Sequence, residues 1–213
     1  MRTSFSVMLL MAVITAIRNM KQIRWRFLLL IITAANAATA QPGSLDLGFG
    51  NNGKVVENAG FSTIRNNATI LQSDGKILVL ATAVVNGVDK TIILRYLGNG
   101  IPDPGFGTNG KVTILENDNI DNCGTDIHLQ ADGRILVSGT IKKTVGNPFL
   151  FRLNTTGSFD SSFNGNGQLV FDEGEAAVCS RFVVLPGNSI VAVLQYAGFA
   201  DGNFRALQTK SQR

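Results

Sequence analysis

Residues 100–112 read Gly-Ile-Pro-Asp-Pro-Gly-Phe-Gly-Thr-Asn-Gly-Lys-Val, and closely similar stretches stand at residues 43–55 and 157–169. Aspartate, phenylalanine and glycine recur in each stretch, 57 residues apart from one copy to the next. The repeated positions are Asp46, Phe49, Gly53, Asp103, Phe106, Gly110, Asp160, Phe163 and Gly167. Self-similarity at a fixed period of this length is the sequence signature of a repeat architecture.

Two further blocks follow each copy in the same order. Gln-Ser-Asp-Gly-Lys-Ile at residues 72–77 returns as Gln-Ala-Asp-Gly-Arg-Ile at 130–135, and more distantly at 185–190. A short apolar run that contains an arginine then closes each unit, and the arginines are Arg95, Arg152 and Arg205. The chain from residue 43 onward therefore divides into three repeats, at about 43–99, 100–156 and 157–213.

Each repeat predicts four short strands. They are expected at residues 54–57, 68–72, 76–85 and 91–97, then at 111–115, 126–130, 135–141 and 149–154, then at 168–171, 181–185, 190–196 and 204–208. Asp74-Gly75 between two apolar runs predicts a type I′ hairpin turn, which needs a positive φ at both central residues. No stretch after residue 41 keeps the helical period of 3.6. The pattern predicts an all-β fold of three four-stranded antiparallel β-propeller blades.

The repeated blocks resemble the delta-60 repeat family. The residues that carry the resemblance are Leu-Asp-x-x-Phe-Gly-x-x-Gly at 45–53, Gln-x-Asp-Gly-Lys-Ile at 72–77 and Leu-Arg-Tyr at 94–96. The resemblance covers residues 43–213. It implies an exported bacterial protein whose repeats form a β-propeller, and it implies no particular activity.

Three units are fewer than the four to eight blades with which propellers close. The last residue stands where the next Asp-x-x-Phe-Gly block would begin. The sequence therefore predicts an incomplete propeller. It is expected to be either a fragment of a longer chain or a short chain that assembles with others into a closed ring.

Residues 1–40 have the pattern of a secretory leader. The basic residues Lys21, Arg24 and Arg26 precede a nine-residue apolar run, and Ala-Thr-Ala at 38–40 supplies a cleavage site. Either Met20 is the true start, or residues 1–19 form a long n-region or two short membrane-associated helices. A second apolar stretch lies upstream at residues 6–17, and neither stretch reaches the roughly 18 residues of a spanning helix. We expect residues 41–213 to be secreted, periplasmic or on the cell surface, with no transmembrane segment after removal of the signal peptide.

The net charge of +4 comes from the leader. Residues 1–40 hold five of the 19 basic residues and none of the 15 acidic ones, so the remainder has 14 bases, 15 acids and a net charge of −1. Nucleic-acid binding needs a basic patch or stripe, and the longest basic run after the leader is Lys142-Lys143. This distribution argues against a nucleic-acid partner. With 45% hydrophobic and 16% charged residues, the composition also excludes a disordered chain.

Candidate chemistry is sparse. His128 is the only histidine, and a lone histidine without a serine or cysteine partner is a weak catalytic signal. Acidic residues follow the first strand of each repeat: Glu57; then Glu116, Asp118 and Asp121; then Asp172, Glu173 and Glu175. Carboxylates in register on one face could bind Ca²⁺, which makes Glu116, Asp118 and Asp121 weak metal candidates, against the alternative of a solvated polar loop. We predict no catalytic residue and no other cofactor.

The two cysteines, Cys123 and Cys179, fall at nearly the same place in adjacent repeats. An export compartment permits a disulfide. Equivalent points on neighbouring blades are, however, often farther apart than the 7 Å or so between Cα atoms that a disulfide tolerates. The sequence leaves both alternatives open.

The repeated arginines predict a structural ion pair. Arg95 precedes Asp103 by eight residues, and Arg152 precedes Asp160 by eight. Each arginine stands among apolar residues, and a buried arginine is rarely unpaired. We therefore expect each guanidinium to hold the aspartate of the following turn and so to fix one blade to the next.

These observations favour a non-catalytic binding or scaffolding propeller that acts on an unknown extracellular ligand or protein. The alternative is an extracellular hydrolase or lyase built on a propeller. Terminal blades without neighbours would expose apolar faces, and such faces predict self-association.

Overall fold

The computed structural model describes residues 43–57, 61, 63–115, 119–142, 146–171, 177–196 and 204–209. The regular elements are β1 (Ile64–Leu71), β2 (Ile77–Val85), β3 (Val88–Tyr96), β4 (Lys111–Thr113), β5 (Asp121–Leu129), β6 (Ile135–Lys142), β7 (Gly146–Leu153), β8 (Gln168–Val170), β9 (Ala177–Val184), β10 (Ile190–Tyr196) and β11 (Phe204–Thr209). Within these ranges there is no helix that could cross a membrane. The leader predicted at residues 1–40 lies outside them.

The strands form three antiparallel sheets, which we call blades 1, 2 and 3. Their strand orders are β1-β2-β3-β4, β5-β6-β7-β8 and β9-β10-β11. All three belong to one compact unit of the chain, Leu47–Arg213. The predicted fold class is confirmed: the described residues form three successive blades of an incomplete β-propeller.

Blades and sequence repeats are out of phase. β4 belongs to the second repeat, yet it pairs with β3 of the first repeat, with Val112 opposite Ile93. In the same way β8 of the third repeat pairs with β7, with Leu169 opposite Leu150. Each four-stranded blade therefore combines three strands of one repeat with the first strand of the next, a refinement of the repeat boundaries expected from the sequence.

The strand predicted at residues 54–57 is wrong. Lys54 makes only isolated bridges with Gly50 and Asn51, and residues 55–57 lie in no strand. A strand needs a neighbour for its backbone hydrogen bonds. The equivalent strands β4 and β8 find that neighbour in the preceding blade, and no described sheet precedes blade 1.

The predicted type I′ turn at Asp74-Gly75 is also wrong. Gly75 has φ +83°, but Asp74 is not among the residues with positive φ. The Gly75 N–H donates to the Gln72 carbonyl at 3.0 Å, and the Gln72 N–H donates to the Lys76 carbonyl at 2.7 Å. This is the three-residue hairpin loop, in which a type I turn precedes one left-handed residue.

The two-residue loop with two positive φ angles lies instead between β2 and β3. Its residues are Asn86 and Gly87, with φ values of 51° and 83°. Val85 and Val88 face each other on either side of it. Asn-Gly is a favoured pair for such a loop, because both residues tolerate the left-handed region.

The core lies between blades. In β6, Ile135 and Val137 pack in the cluster shared with blade 1, whereas Leu136 packs in the cluster shared with blade 3. All three side chains are fully buried. Burial of each such side chain stabilises the fold by about 1.5–3 kcal/mol, so contacts from blade to blade hold the structure together. The edge strands β1, β5 and β9 contact one another in turn and form the inner side of the blades.

Candidate functional site

Two buried ion pairs use the repeated aspartates. Arg95 Nε donates to Asp103 Oδ2 at 2.8 Å, and Arg152 Nε donates to Asp160 Oδ2 at 2.7 Å. The four side chains are only 3–10% exposed. The structure thus contains both pairs that the eight-residue spacing led us to expect.

Arg95 also reaches the turn that follows β7 in blade 2. Its Nη1 donates to the Thr155 carbonyl at 2.5 Å, and its Nη2 donates to the Gly105 carbonyl at 3.3 Å. The guanidinium lies 4.4 Å from the ring centroid of Phe106. One side chain thereby ties the third strand of blade 1 to the turn that carries Asp103 and to the turn that follows β7, the third strand of blade 2.

A second cation binds each aspartate, and sequence reasoning missed it. Lys76 Nζ lies 3.6 Å from Asp103 Oδ2, and Arg134 Nε lies 2.9 Å from Asp160 Oδ2. Both cations directly follow the Asp-Gly pair of a hairpin. That repeated basic residue was the available signal, and in the third repeat its place is taken by Ser189.

The aspartates stay ionised. Burial raises the pKa of Asp103, but the hydrogen bond from the Gly105 N–H and the charges of Arg95 and Lys76 outweigh it, so this pKa lies below its usual range. The pKa of Asp160 is lowered in the same manner, because hydrogen bonds from Ser162 and the arginine charges outweigh burial. Carboxylates held in this state serve as fixed anions and not as proton donors.

The repeated phenylalanines and glycines shape the turn that carries each aspartate. The Phe106 N–H donates to the Asp103 carbonyl at 3.1 Å, and the Gly110 N–H donates to the Phe106 carbonyl at 2.9 Å. Phe106 and Phe163 are almost fully buried. Phe49 is only half-buried and Asp46 is exposed. The glycines that end the turns, Gly53, Gly110 and Gly167, have φ values of 81°, 83° and 82°.

Arg205 does not occupy the position predicted for it. Arg95 stands opposite Leu78 of the neighbouring strand, but the equivalent residue Val191 faces Gln208. Arg205 stands three residues earlier on β11, is exposed, and has its guanidinium 4.8 Å from the ring centroid of Tyr196. The prediction counted residues along the chain, whereas strand register decides which side chains are equivalent.

A hydrogen bond between neighbouring blades repeats at the inner strands. β1 has a bulge at Asn67, and β5 has one at Thr125. Asn67 Nδ2 donates to the Gly124 carbonyl at 2.5 Å, and Thr125 Oγ1 donates to the Cys179 carbonyl at 2.7 Å. The polar bulge residue of one blade thus binds the backbone of the next, which no sequence motif had indicated.

A buried lysine of β3 binds two backbone carbonyls beside the predicted calcium site. Lys90 is 2% exposed, and its Nζ donates to the carbonyls of Leu115 and Ile120 at 2.8 and 3.2 Å. The candidates Glu116 and Asp118 lie outside the described residues, and Asp121 accepts a hydrogen bond from the Asp89 N–H. In the part of the chain that is described, no three metal-ligating side chains cluster. Calcium binding therefore stays a prediction.

Neither cysteine forms a disulfide, and both thiols are free. Burial raises the pKa of the Cys123 thiol and raises that of Cys179 to about 11. The thiolate is the reactive form of cysteine, so both residues are poor nucleophiles at neutral pH. His128 is exposed, and its ring contacts Phe182 edge-on at 6.2 Å between centroids.

A groove of about 560 Å³ opens between blades 2 and 3. Thr125 lines it from blade 2, Val178 and Tyr196 line it from blade 3, and Lys142 lies at its rim. Val178 is 43% exposed, although it is apolar. The Tyr196 hydroxyl is buried and has no hydrogen-bond partner among the described residues.

In a groove with apolar walls, the Lys142 ammonium and the exposed Gln195 amide are donors that could fix a ligand's orientation. The arrangement suits a ligand with an apolar body and a hydrogen-bond acceptor or an anionic group.

Comparison with known proteins supports a propeller repeat family. Residues 72–106 and 130–163, about a third of the chain, are similar to the family described as a domain of unknown function (DUF5122) beta-propeller. Each matched segment runs from the Asp-Gly hairpin through the paired arginine to the repeated phenylalanine, and so crosses from one repeat into the next. Searches of curated proteins and of solved structures gave no match.

Proposed function

We propose that this chain is an exported, non-catalytic β-propeller module of the delta-60 type that binds an extracellular ligand in the groove between blades 2 and 3. The observation that carries the proposal is the groove itself, whose lining includes Val178, an apolar side chain that is 43% exposed. The leader pattern at residues 1–40 supports export, and the repeated blocks support the family assignment.

The use of the repeated charges favours binding over catalysis. Arg95 and Arg152 are occupied by Asp103 and Asp160. These groups are held in fixed ion pairs beside buried aromatic rings. The repeated arginines and aspartates therefore have a structural role. The groove combines polar groups with exposed apolar surface, and we assign binding to it.

The chemistry of the groove indicates its class of ligand. Val178 and the methyl group of Thr125 offer apolar contact, and the Lys142 ammonium and the Gln195 amide offer donors. A ligand with an aromatic or aliphatic body and a carboxylate, sulfonate or carbonyl group would satisfy both. Anilinonaphthalene sulfonate has this chemistry and becomes fluorescent in apolar surroundings, so it serves as the probe.

The test is a fluorescence titration of the full chain with anilinonaphthalene sulfonate. We expect saturable binding that Val178→Asp weakens about tenfold, which corresponds to about 1.4 kcal/mol. Val183→Asp is the matched control, because Val183 lies on the same strand, is 56% exposed and does not line the groove. Lys142→Ala should weaken binding of this anionic probe while it leaves the circular dichroism spectrum unchanged, because Lys142 lines the groove and its side chain is 54% exposed. Equal binding by the two valine variants would refute the groove as the site.

A further inference from the structure

Residues 54–56 follow a turn that has the same backbone hydrogen bonds as the turn before β4, the strand that the second repeat adds to blade 1. In the second repeat, the Thr108 N–H donates to the Lys111 carbonyl at 2.8 Å directly before β4 begins. In the first repeat, the Asn51 N–H donates to the Lys54 carbonyl at 2.7 Å. The left-handed asparagines of the two turns, Asn52 and Asn109, both have φ 52°.

The two turns are also seated alike on the blades that follow them. The Gly50 N–H donates to the Asn99 carbonyl at 2.7 Å, and the Gly107 N–H donates to the Thr156 carbonyl at 2.8 Å. After this turn, residues 111–113 of the second repeat pair with the edge of the preceding blade. Residues 54–56 follow the equivalent turn, but no described blade precedes them, and Val56 is 73% exposed.

The matching acceptor edge is on blade 3. In blade 1, residues 92–94 of β3 pair with β4, and in blade 2, residues 149–151 of β7 pair with β8. Because Val191 faces Gln208 as Leu78 faces Arg95, the equivalent residues of β11 are 205–207. Among the described strands none lies against this outer edge of β11. An open strand edge is a template for pairing with another chain.

We propose that two copies of this chain associate head to tail, with residues 54–56 of each copy added as a fourth strand to blade 3 of the other. The register follows from β3 and β4: Lys54 opposite Leu207, Val55 opposite Ala206, and Val56 opposite Arg205. The described blades of two copies number six, within the four to eight of closed propellers, so in this proposal the association closes as a dimer.

The blade faces at this junction match as they do inside the chain. Leu136 of blade 2 packs against blade 3, and its equivalent in blade 3 is Val191, which remains half-buried. Ile135 of blade 2 packs against blade 1, and its equivalent in blade 1 is Ile77, also half-buried. The junction would bring the Val191 face of one copy against the Ile77 face of the other, the same apolar pairing that joins successive blades.

The first test is the mass of the full chain in solution, from size-exclusion chromatography with light scattering. We expect twice the chain mass. In blade 1, the Arg95 N–H donates to the Gly110 carbonyl and the Ile114 N–H donates to the Thr91 carbonyl. Hydrogen-bonded pairs alternate along an antiparallel ladder, so Ile93 and Val112, which lie midway between these bonds, also form a hydrogen-bonded pair. The Ala206 N–H, equivalent to that of Ile93, therefore points to the open edge. Ala206→Pro should yield monomers because it removes that donor and spares the pairing with β10, whereas Ala206→Ser should remain dimeric.

A second test does not depend on that proline. Val56 and Arg205 would form a non-hydrogen-bonded pair, whose Cα atoms lie about 4.5 Å apart, within the range for a disulfide. A Val56→Cys chain mixed with an Arg205→Cys chain should give a covalent dimer on oxidation. Val56→Cys mixed with Leu185→Cys, another exposed position, should not. A monomeric wild-type chain, an open series of larger species, or no difference between the two mixtures would overturn the proposal.

Discussion

Arg152 Nε and Asp160 Oδ2 lie 2.7 Å apart, with their side chains only 3% and 10% exposed. Arg152→Ala removes the cation of this buried pair and leaves the Asp160 carboxylate without its main charge partner. We expect the free energy of unfolding to fall by about 3–5 kcal/mol. Equilibrium unfolding in urea measures this change.

Lys142→Ala is the control for that experiment. Lys142 is 54% exposed, and its Nζ lies 3.8 Å from Asp89. Loss of such a surface pair costs about 1 kcal/mol or less. If the two variants unfolded at the same urea concentration, the structural role assigned to Arg152 would be wrong.

Acid should weaken the fold through Asp103 and Asp160. Their pKa values are lowered in the folded chain, so their contribution is fully present above about pH 4, near the ordinary aspartate value, and is lost as the pH falls through the folded values. Asp160→Asn should reduce stability at neutral pH and flatten its decline below about pH 4. Urea unfolding at a series of pH values would show this, and parallel curves for the two proteins would contradict it.

Thr125→Val tests the hydrogen bond between the inner strands of blades 2 and 3. The substitution keeps the shape of the side chain but removes the donor to the Cys179 carbonyl at 2.7 Å. We expect a loss of about 1–3 kcal/mol, because the carbonyl is left without its partner. Thr113→Val on the outer strand β4 is the matched control and should stay within about 0.5 kcal/mol. Thermal unfolding of both variants gives the comparison.

Gly75→Ala tests the corrected hairpin. Gly75 has φ +83°, and a side chain there would meet no atom within 4 Å, so the cost comes from the backbone alone. We expect alanine to destabilise the chain by about 1–2 kcal/mol. Gly75→Asn should cost less, because Asn188 adopts φ 62° at the same place in the third repeat. Equal losses for alanine and asparagine would argue against a left-handed requirement.

The leader predicts a defined new N-terminus. Export should remove residues 1–40, because Ala-Thr-Ala at 38–40 follows the apolar run. N-terminal sequencing of the exported protein should begin at Gln41. Ala38→Leu and Ala40→Leu should block processing, whereas Ala34→Leu should not. A start upstream of Phe27 would refute the cleavage site.

Much of the fold could be predicted because its signals are local. The apolar runs around Ile77 and Ile135 and the glycine turns between them mark strands within a few residues of their ends. The pairing of Val112 with Ile93 could not be read in the same way, since the partner of a first strand lies in the preceding repeat. The strand expected at residues 54–57 failed for that reason: its sequence is suitable, but strand formation also requires an adjacent edge.

The candidate sites show the same difference between contacts that are local in the sequence and contacts that depend on the packing of blades. Arg95 and Asp103 could be paired from the sequence, because eight residues and one turn separate them. Thr125 and Cys179 are 54 residues apart, and only the packing of two blades brings them together. The groove at Tyr196 likewise arises between sheets. Arg205 shows the limit of counting, because the pairing of β10 with β11 assigns its predicted position to Gln208.

The phase difference between repeat and blade also affects synthesis on the ribosome. The third strand of blade 1 ends at Tyr96, but the residues that complete this sheet, Lys111–Thr113, are translated 15 residues later. Until they emerge, the nascent blade keeps an open edge. If the blades fold in order as they are synthesised, each blade that a following repeat completes keeps an open edge until the first strand of that repeat is available.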